Sequence, residues 1–124
     1  MFFCNSGAEA NEAAIKLARR YFNKIKNLDR YEIITLHGSF HGRTYATMSA
    51  TGQDKIKDGF SPLLPGFLHA RPNDLMDIES KISDKTAAIM IEVIQGEGGV
   101  KPLDIDFVKG IEDICQKKRS SVYY

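Results

Sequence analysis

The sequence predicts an α/β fold in which a mostly parallel β-sheet is flanked by helices. Helical spacing of apolar residues alternates along the 124 residues with short apolar runs typical of strands. Two glycine-rich polar loops, at residues 37–44 and 95–99, follow the two runs with the strongest strand character. Because ligands bind beyond the carboxyl ends of parallel strands, we expect a site where these loops meet.

The first predicted helix begins at Ser6. Ser6 and Glu9 have the spacing of a capping box, and the apolar positions that follow recur every three or four residues. Such a start leaves unpaired backbone N–H groups at the positive end of the helix dipole. Because Gly7 and Ala8 add no bulk, a phosphate group can approach those N–H groups closely. An ordinary capped helix without a ligand is the alternative for this segment taken alone.

The middle of the chain is predicted to contain one strand and short helical segments. Residues 31–36 are rich in β-forming side chains, and a helix is predicted over residues 45–48, after the first glycine-rich loop. Residues 54–58 predict a helical turn, whereas the prolines and glycine of residues 61–66 predict a loop. The first glycine-rich loop therefore joins a strand to a helix.

The last third is predicted to run helix, strand, helix. The Asn–Asp pair at residues 73–74 is suited to capping a helix. Residues 86–94 are nearly all apolar, which predicts a strand buried on both faces. The second glycine-rich loop, residues 95–99, follows this strand, and Asp104 or Asp106 is predicted to begin the last helix.

Composition and charge argue against several classes of function. Lys and Arg number 17 against 16 Asp and Glu, which gives no electrostatic reason to expect nucleic acid or an anionic membrane as a partner. The longest apolar run, residues 87–91, is far shorter than the about 20 residues of a membrane span, and no signal peptide follows Met1. Neither the histidines of residues 37–44 nor Cys4 and Cys115 have metal-ligand spacing. We therefore expect no metal site, and reduced, buried thiols in a cytoplasmic protein.

Four side chains in or beside the glycine-rich loops are candidates for a ligand site. Phe40 offers an aromatic face for a planar ring, and Arg43 offers a planar fork for a carboxylate. Each has a common alternative, as a core phenylalanine or a surface arginine. Glu92 lies within the predicted apolar strand, where a carboxylate needs a partner, so it belongs either to an ion pair or to the surroundings of a site. Solvation alone is enough to explain Glu97.

Three segments together resemble the class III, or ω-amino-acid, aminotransferases, which depend on pyridoxal 5'-phosphate. The segments carry the motifs NSGAEANEAAIKLAR within residues 3–19, HGSFHGRT at residues 37–44 and EVIQGEGG at residues 92–99. Three ordered motifs at the spacing of one family are a far stronger signal than a single glycine-rich match. The resemblance extends to about Lys117.

The resemblance implies the fold, the reaction and the assembly. It implies that residues 1–118 form part of the large, cofactor-binding domain of a fold-type I aminotransferase, which is a cytoplasmic homodimer. The most similar members transfer the δ-amino group of N-acetylornithine to 2-oxoglutarate in arginine biosynthesis, so an amino acid and a 2-oxo acid are the implied substrates. Ornithine, succinylornithine, succinyl-diaminopimelate and 4-aminobutyrate remain alternative substrates.

The resemblance also implies roles for individual residues. Gly7 and Ala8 match positions whose backbone binds the cofactor phosphate, and Phe40 matches the aromatic residue stacked on the pyridine ring. Arg43 matches the arginine that holds the substrate α-carboxylate. The residues that match the surroundings of the site, without direct contact to the reacting groups, are Ser6, Glu92 and Glu97. In related enzymes the match to Glu97 pairs with a switchable arginine.

No residue of the chain matches the lysine that forms the Schiff base in this family. None of the 11 lysines lies in the family's lysine motif, and no acid matches the one that faces the pyridine nitrogen. We therefore expect an internal piece of an aminotransferase that is inactive alone, with an inert remnant or a subunit-association fragment as the alternative. Residues 119–124 are predicted to be a tail unrelated to the family, such as a shifted reading frame leaves. Val93 stands where the family has proline.

Overall fold

Helices and strands alternate along the chain. The structure, a computed structural model, describes residues 2–118 and 121–123. The helices are α1 (Gly7–Arg20), α2 (Tyr45–Ala50), α3 (Leu75–Lys81) and α4 (Ile105–Lys118). The strands are β1 (Glu32–Leu36), β2 (Phe67–Ala70), β3 (Thr86–Met90), β4 (Ile94–Gln95), β5 (Lys101–Pro102) and β6 (Ser121–Tyr123). A π-helical turn continues α1 over Tyr21–Ile25, and a 3₁₀ turn covers Asp54–Ile56.

The main sheet has four parallel strands in the order β2, β1, β3, β6. In the centre, Ile34 of β1 lies opposite Leu68 of β2 on one side and opposite Ile89 of β3 on the other. Strands β4 and β5 form a separate antiparallel pair. The predicted α/β fold with a mostly parallel sheet is confirmed. The carboxyl ends of β1 and β3 lie side by side, so the segments that follow them start at the same edge.

Helices cover both faces of the sheet. On one face, Ile34 packs in a cluster with Phe107 and Ile111 of α4. On the other face, Ile33 packs in a cluster with Ile15 of α1. Because neighbouring strand residues point to opposite faces, β1 needs apolar side chains at consecutive positions. This arrangement holds the first turn of α1 beside the carboxyl end of the sheet.

The prediction of one strand over residues 86–94 is wrong in length. Strand β3 ends at Met90, and Glu92 lies beyond its end rather than inside it. Ile94 is 58% exposed and pairs with Pro102 in the β4–β5 hairpin. The apolar run therefore contains a strand, its exit and the start of a hairpin, and composition does not mark those boundaries. Glu92 therefore lies in the loops at the edge of the sheet and not within a strand.

Two further segments differ from the sequence analysis or extend it. Strand β2, at residues 67–70, is missed by the sequence analysis because it is only four residues long and directly follows a loop rich in proline and glycine. Within the predicted tail, residues 121–123 pair in parallel with β3, whereas residues 119, 120 and 124 lie outside the described residues. That the tail is unrelated to the family stays a prediction.

Candidate functional site

Ser6 caps α1 as predicted, but the capping box closes differently. The Ser6 Oγ accepts a hydrogen bond from the Glu9 N–H at 3.2 Å. The Glu9 carboxylate accepts from the backbone N–H of Asn5 at 2.8 Å and from the Asn5 side-chain amide at 3.0 Å, instead of from Ser6. Among residues 2–118 and 121–123, no acceptor binds the N–H groups of Gly7 and Ala8. Two donors at the positive end of a 14-residue helix are therefore available to an anion.

A cleft of about 430 Å³ brings the predicted contact residues together. It is lined by Gly7, Ala8, Asn11, Phe40, His41, Gly42 and Arg43. The start of α1 and the loop after β1 thus form one concave surface. The four residues predicted to touch a cofactor or a substrate all belong to it.

The loop after β1 packs tightly against the start of α1. Gly42 has a φ of +130°, and a Cβ placed there would lie 2.8 Å from the Ala8 Cβ and 2.6 Å from the Thr47 Oγ1. Distances below 3.0 Å are closer than Cβ contacts in real proteins. The side-chain amide of Asn11 in α1 donates to the His41 carbonyl at 2.9 Å, which is a second contact between the helix and the same loop. Glycine at position 42 is therefore required both by its backbone conformation and by the contact with the helix.

The segment after β3 is joined to this loop by Glu92. The Glu92 carboxylate accepts a hydrogen bond from the Phe40 N–H at 2.9 Å, and the Gln95 side-chain amide donates to the His37 carbonyl at 3.2 Å. Burial raises the pKa of Glu92 above its usual value, the Phe40 N–H opposes that change, and the charge of Glu97 adds to it. Glu92 thus supports Phe40 through the backbone. The exposed Glu97 does not line the cleft.

Arg43 is exposed at the rim of the cleft. The central carbon of its guanidinium lies 6.0 Å from the centroid of the Phe40 ring. Within the described part of the chain, no carboxylate lies at salt-bridge distance from Arg43. A planar cation beside an aromatic face can bind a carboxylate next to a planar ring.

Sequence reasoning missed Asn11 as a residue of the site. Asn11 lies four residues after Gly7, so both fall on the same face of α1. That spacing is the signal that could have found it. The contact from Asn11 to His41 spans 30 residues, and no local pattern indicates it.

Other features of the described residues point to no second site. A larger cleft of about 810 Å³ lies between the starts of α3 and α4, but it contains none of the predicted site residues. In the described ranges, no group of three His, Cys, Asp or Glu side chains could hold a metal ion. Cys115 is buried as expected, whereas Cys4 is only half-buried. No helix of the described residues is long and apolar enough to cross a membrane.

Comparison with known proteins decides the family. The model of the family described as aminotransferase class-III matches residues 1–121. The chain belongs to the class III aminotransferases. It is 56% identical over 117 residues to the acetylornithine aminotransferase of Bacillus cereus, and the match covers 94% of this chain and 29% of that protein. It is 52% identical over 117 residues to the acetylornithine/succinyldiaminopimelate aminotransferase of Buchnera aphidicola, with the same two coverages.

A solved structure of an aminotransferase agrees with this membership. The ornithine aminotransferase of Toxoplasma gondii, whose structure shows partial occupancy of pyridoxal phosphate at the active site, superimposes with a TM-score of 0.89 at 31% identity. That match covers 96% of this chain and 29% of the Toxoplasma chain. The chain thus spans less than a third of the length of the relatives that it matches.

Proposed function

We propose that this chain is the part of a pyridoxal-phosphate-dependent aminotransferase that binds the cofactor phosphate, covers its ring and holds the substrate carboxylate. One observation carries the proposal: the unpaired N–H groups of Gly7 and Ala8, the Phe40 ring and the Arg43 guanidinium share a single cleft. A helix start with unpaired donors suits a phosphate, and an aromatic face beside it suits a planar ring. The residues present therefore fit pyridoxal 5'-phosphate.

Each residue has a physical role in this proposal. When bound, pyridoxal phosphate supplies the electron sink for bond cleavage at the carbon that carries the amino group. The N–H groups of Gly7 and Ala8 bind the phosphate and set its orientation. Phe40 packs on the ring and excludes water from that face, and Arg43 binds the substrate α-carboxylate through two parallel hydrogen bonds. Glu92 acts through the Phe40 backbone and keeps the aromatic residue in place.

The proton-transferring lysine is assigned to another segment of the complete protein. Within the described residues, no lysine lines the cleft. The general base that an aminotransferase needs at the reacting carbon is therefore not supplied by this surface. We assign binding of the cofactor and the substrate carboxylate to this chain, and proton transfer to a lysine outside it. We propose that the complete protein is a homodimer and that it is located in the cytoplasm.

The substrates that we propose are N-acetylornithine and 2-oxoglutarate, in arginine biosynthesis. The name of the Bacillus cereus relative supports this choice, at 56% identity. The name of the Buchnera relative, which includes succinyldiaminopimelate, favours that compound as the second candidate. Both donors carry an α-carboxylate, so Arg43 serves either one.

A chimera tests the proposed function directly. The 117 residues of the Bacillus cereus relative that this chain matches are replaced by those of this chain. We expect a folded chimera that binds pyridoxal phosphate and transfers the amino group of N-acetylornithine to 2-oxoglutarate. A chimera with the circular dichroism of the parent enzyme that binds no pyridoxal phosphate would contradict the proposal. Preference for succinyl-diaminopimelate would select the second candidate.

The isolated chain separates a binding fragment from a complete catalyst. Pyridoxal phosphate is added to the 124-residue chain, borohydride follows, and labelled lysines are located by mass spectrometry. We expect no turnover and no stoichiometric label at a single lysine. Labelling of one specific lysine together with transamination would show that the chain is a catalyst by itself. Co-purification of an inactive chain with a complete subunit would support the subunit-association alternative.

A further inference from the structure

We propose that Glu12 and Thr44 are positioning residues that set the place of Arg43, and with it the preference of the site for substrates that carry a carboxylate. The proposal rests on the proposed function, since Arg43 is assigned there to the substrate carboxylate. Glu12 belongs to α1, and Thr44 directly follows Arg43 in the chain. The Thr44 hydroxyl donates to the Glu12 carboxylate at 2.6 Å.

Hydrogen-bond directions in this network follow from counting protons. A carboxylate only accepts, so the single hydroxyl proton of Thr44 is used by Glu12. The contact of 2.7 Å between the Thr44 and Thr47 hydroxyls must then have Thr47 as its donor. The Thr47 oxygen in turn accepts from the Thr44 N–H at 3.1 Å. The three residues therefore form a chain of hydrogen bonds that ends at Glu12, and the Thr47 hydroxyl also lies 3.3 Å from the Thr44 carbonyl, a second acceptor for its proton.

The same helix holds the loop on both sides of Arg43. Asn11 donates to the His41 carbonyl at 2.9 Å, and its neighbour Glu12 accepts from the Thr44 hydroxyl at 2.6 Å. Two consecutive residues of α1 thus hold the loop at positions 41 and 44, and Arg43 lies between these two contacts. The Glu12 side chain is only 18% exposed, Thr44 is exposed, and the other carboxylate oxygen of Glu12 lies 3.4 Å from the Lys16 ammonium.

The two contacts from α1 to the loop, Asn11 to His41 and Glu12 to Thr44, fix the distance between the proposed phosphate site and the proposed carboxylate site. These two contacts are called the bracket below. The residues that we assign to the phosphate, Gly7 and Ala8, occupy the first turn of the helix that carries Asn11 and Glu12. The arginine assigned to the carboxylate is held by that helix through the contact from Glu12 to Thr44. A charged group that is held rigidly in place favours ligands that carry the opposite charge at the matching position over ligands that lack it. Loosening the bracket should therefore reduce the advantage of carboxylate-bearing donors.

Two donors in the chimera measure this advantage. One is N-acetylornithine and the other is its decarboxylated analogue, N-acetyl-1,4-diaminobutane, which presents the same amine without the carboxylate. The readout is the ratio of their kcat/KM values. A role confined to folding would lower both values together and leave the ratio unchanged.

Three substitutions and one control decide the proposal. We expect Thr44→Val to lower the ratio about tenfold, mainly through a higher KM for N-acetylornithine, because a contact to a charged group loses its fixed geometry. Thr44→Ser keeps the hydroxyl and should keep the ratio within about twofold, whereas Glu12→Gln, which accepts without a charge, should lower it about threefold. Glu79→Gln, on the exposed face of α3, is the matched carboxylate control and should leave the ratio unchanged.

The outcomes separate this inference from the proposed function. An unchanged ratio in Thr44→Val, or an equal loss in Thr44→Val and Thr44→Ser, would overturn the positioning role. Arg43→Ala must lower the ratio more than any of these variants. If it does not, the assignment of Arg43 to the carboxylate fails instead. If Thr44→Val does not fold, the kcat/KM ratio of Glu12→Gln is compared with that of Glu79→Gln. A lower ratio in Glu12→Gln supports the positioning role, and equal ratios overturn it.

Discussion

The Glu92 carboxylate accepts a hydrogen bond from the Phe40 N–H at 2.9 Å, across 52 positions of sequence. This bond joins the segment after β3 to the loop after β1. It supports the backbone of the residue that we assign to the cofactor ring. Because Glu92 is partly buried, its pKa is raised above its usual value.

Replacing Glu92 should distinguish the hydrogen bond from simple space filling. Glu92→Leu leaves the Phe40 N–H without an acceptor, at a cost of about 1–3 kcal/mol, whereas Glu92→Gln keeps an oxygen in reach. In the chimera we expect Glu92→Leu to have the lower thermal midpoint and the weaker affinity for pyridoxal phosphate. Equal affinities in the two variants would show that the bond does not support Phe40.

Gly42→Ala should disturb the contact between the loop and α1. The added Cβ would lie 2.8 Å from the Ala8 Cβ at a φ of +130°, so the loop must move or strain. We expect the chimera to lose about 1–3 kcal/mol of stability and most of its affinity for pyridoxal phosphate. Gly59→Ala is the control, because Gly59 also has a positive φ of +81° but no atom within 4 Å of the added Cβ. Equal losses of cofactor affinity would contradict a specific role for the loop–helix contact.

Arg43→Ala should weaken substrate binding more than cofactor binding. The guanidinium has no carboxylate partner among the described residues, so removing it breaks no internal ion pair. We expect KM for N-acetylornithine to rise about 10- to 100-fold, as for loss of a charge-assisted contact, with a small change in pyridoxal phosphate affinity. Arg20→Ala, at the exposed end of α1, controls for loss of a positive charge. An unchanged KM would refute the assignment of Arg43.

Local patterns predicted the parts of the site that local forces determine. Ser6 is recognisable as a cap because its bond to Glu9 spans three residues. Phe40 and Arg43 were candidates because of their side-chain chemistry in the glycine-rich loop after β1, and their specific roles came only from the family resemblance. The position of Glu92 was predicted wrongly, since an apolar run does not reveal where a strand stops pairing. The strand exit depends on partners in β1, which lie more than 50 residues away.

Contacts between distant segments were beyond the reach of the sequence. The bond from Asn11 to His41 and the bond from Thr44 to Glu12 join residues 30 and 32 positions apart. The spacing from Gly7 places Asn11 on the face of α1 that carries the site, but no local pattern indicates the partner of either bond. Their roles follow only from the packing of α1 against the loop after β1.

The hydrogen bonds around His69 fix its tautomer. The Thr35 hydroxyl donates its proton to the Ala50 carbonyl at 2.7 Å, so at 2.7 Å from the His69 Nδ1 it must accept. The His69 Nε2 is then the acceptor for the Lys57 ammonium at 3.0 Å. Protonating the ring would place a second N–H against that ammonium. Burial, followed by the charges of Lys57 and His37, lowers the pKa of His69 to about 4, with Asp54 opposing.

Acid should therefore destabilise the fold through two histidines. Burial, with a smaller contribution from His69, also lowers the pKa of His41 to about 4, and the Nε2 of His41 has no partner among the described residues. In the unfolded chain both pKa values return to about 6.5, so between pH 6.5 and 4 the unfolded state binds more protons. The free energy of unfolding should thus fall as pH drops through that window. His69→Gln can still donate to Thr35 and accept from Lys57 but does not titrate, so its urea-unfolding free energy in the chimera should depend less on pH than that of the unmodified chimera. Identical slopes would show that His69 is not one of the groups that take up protons on unfolding.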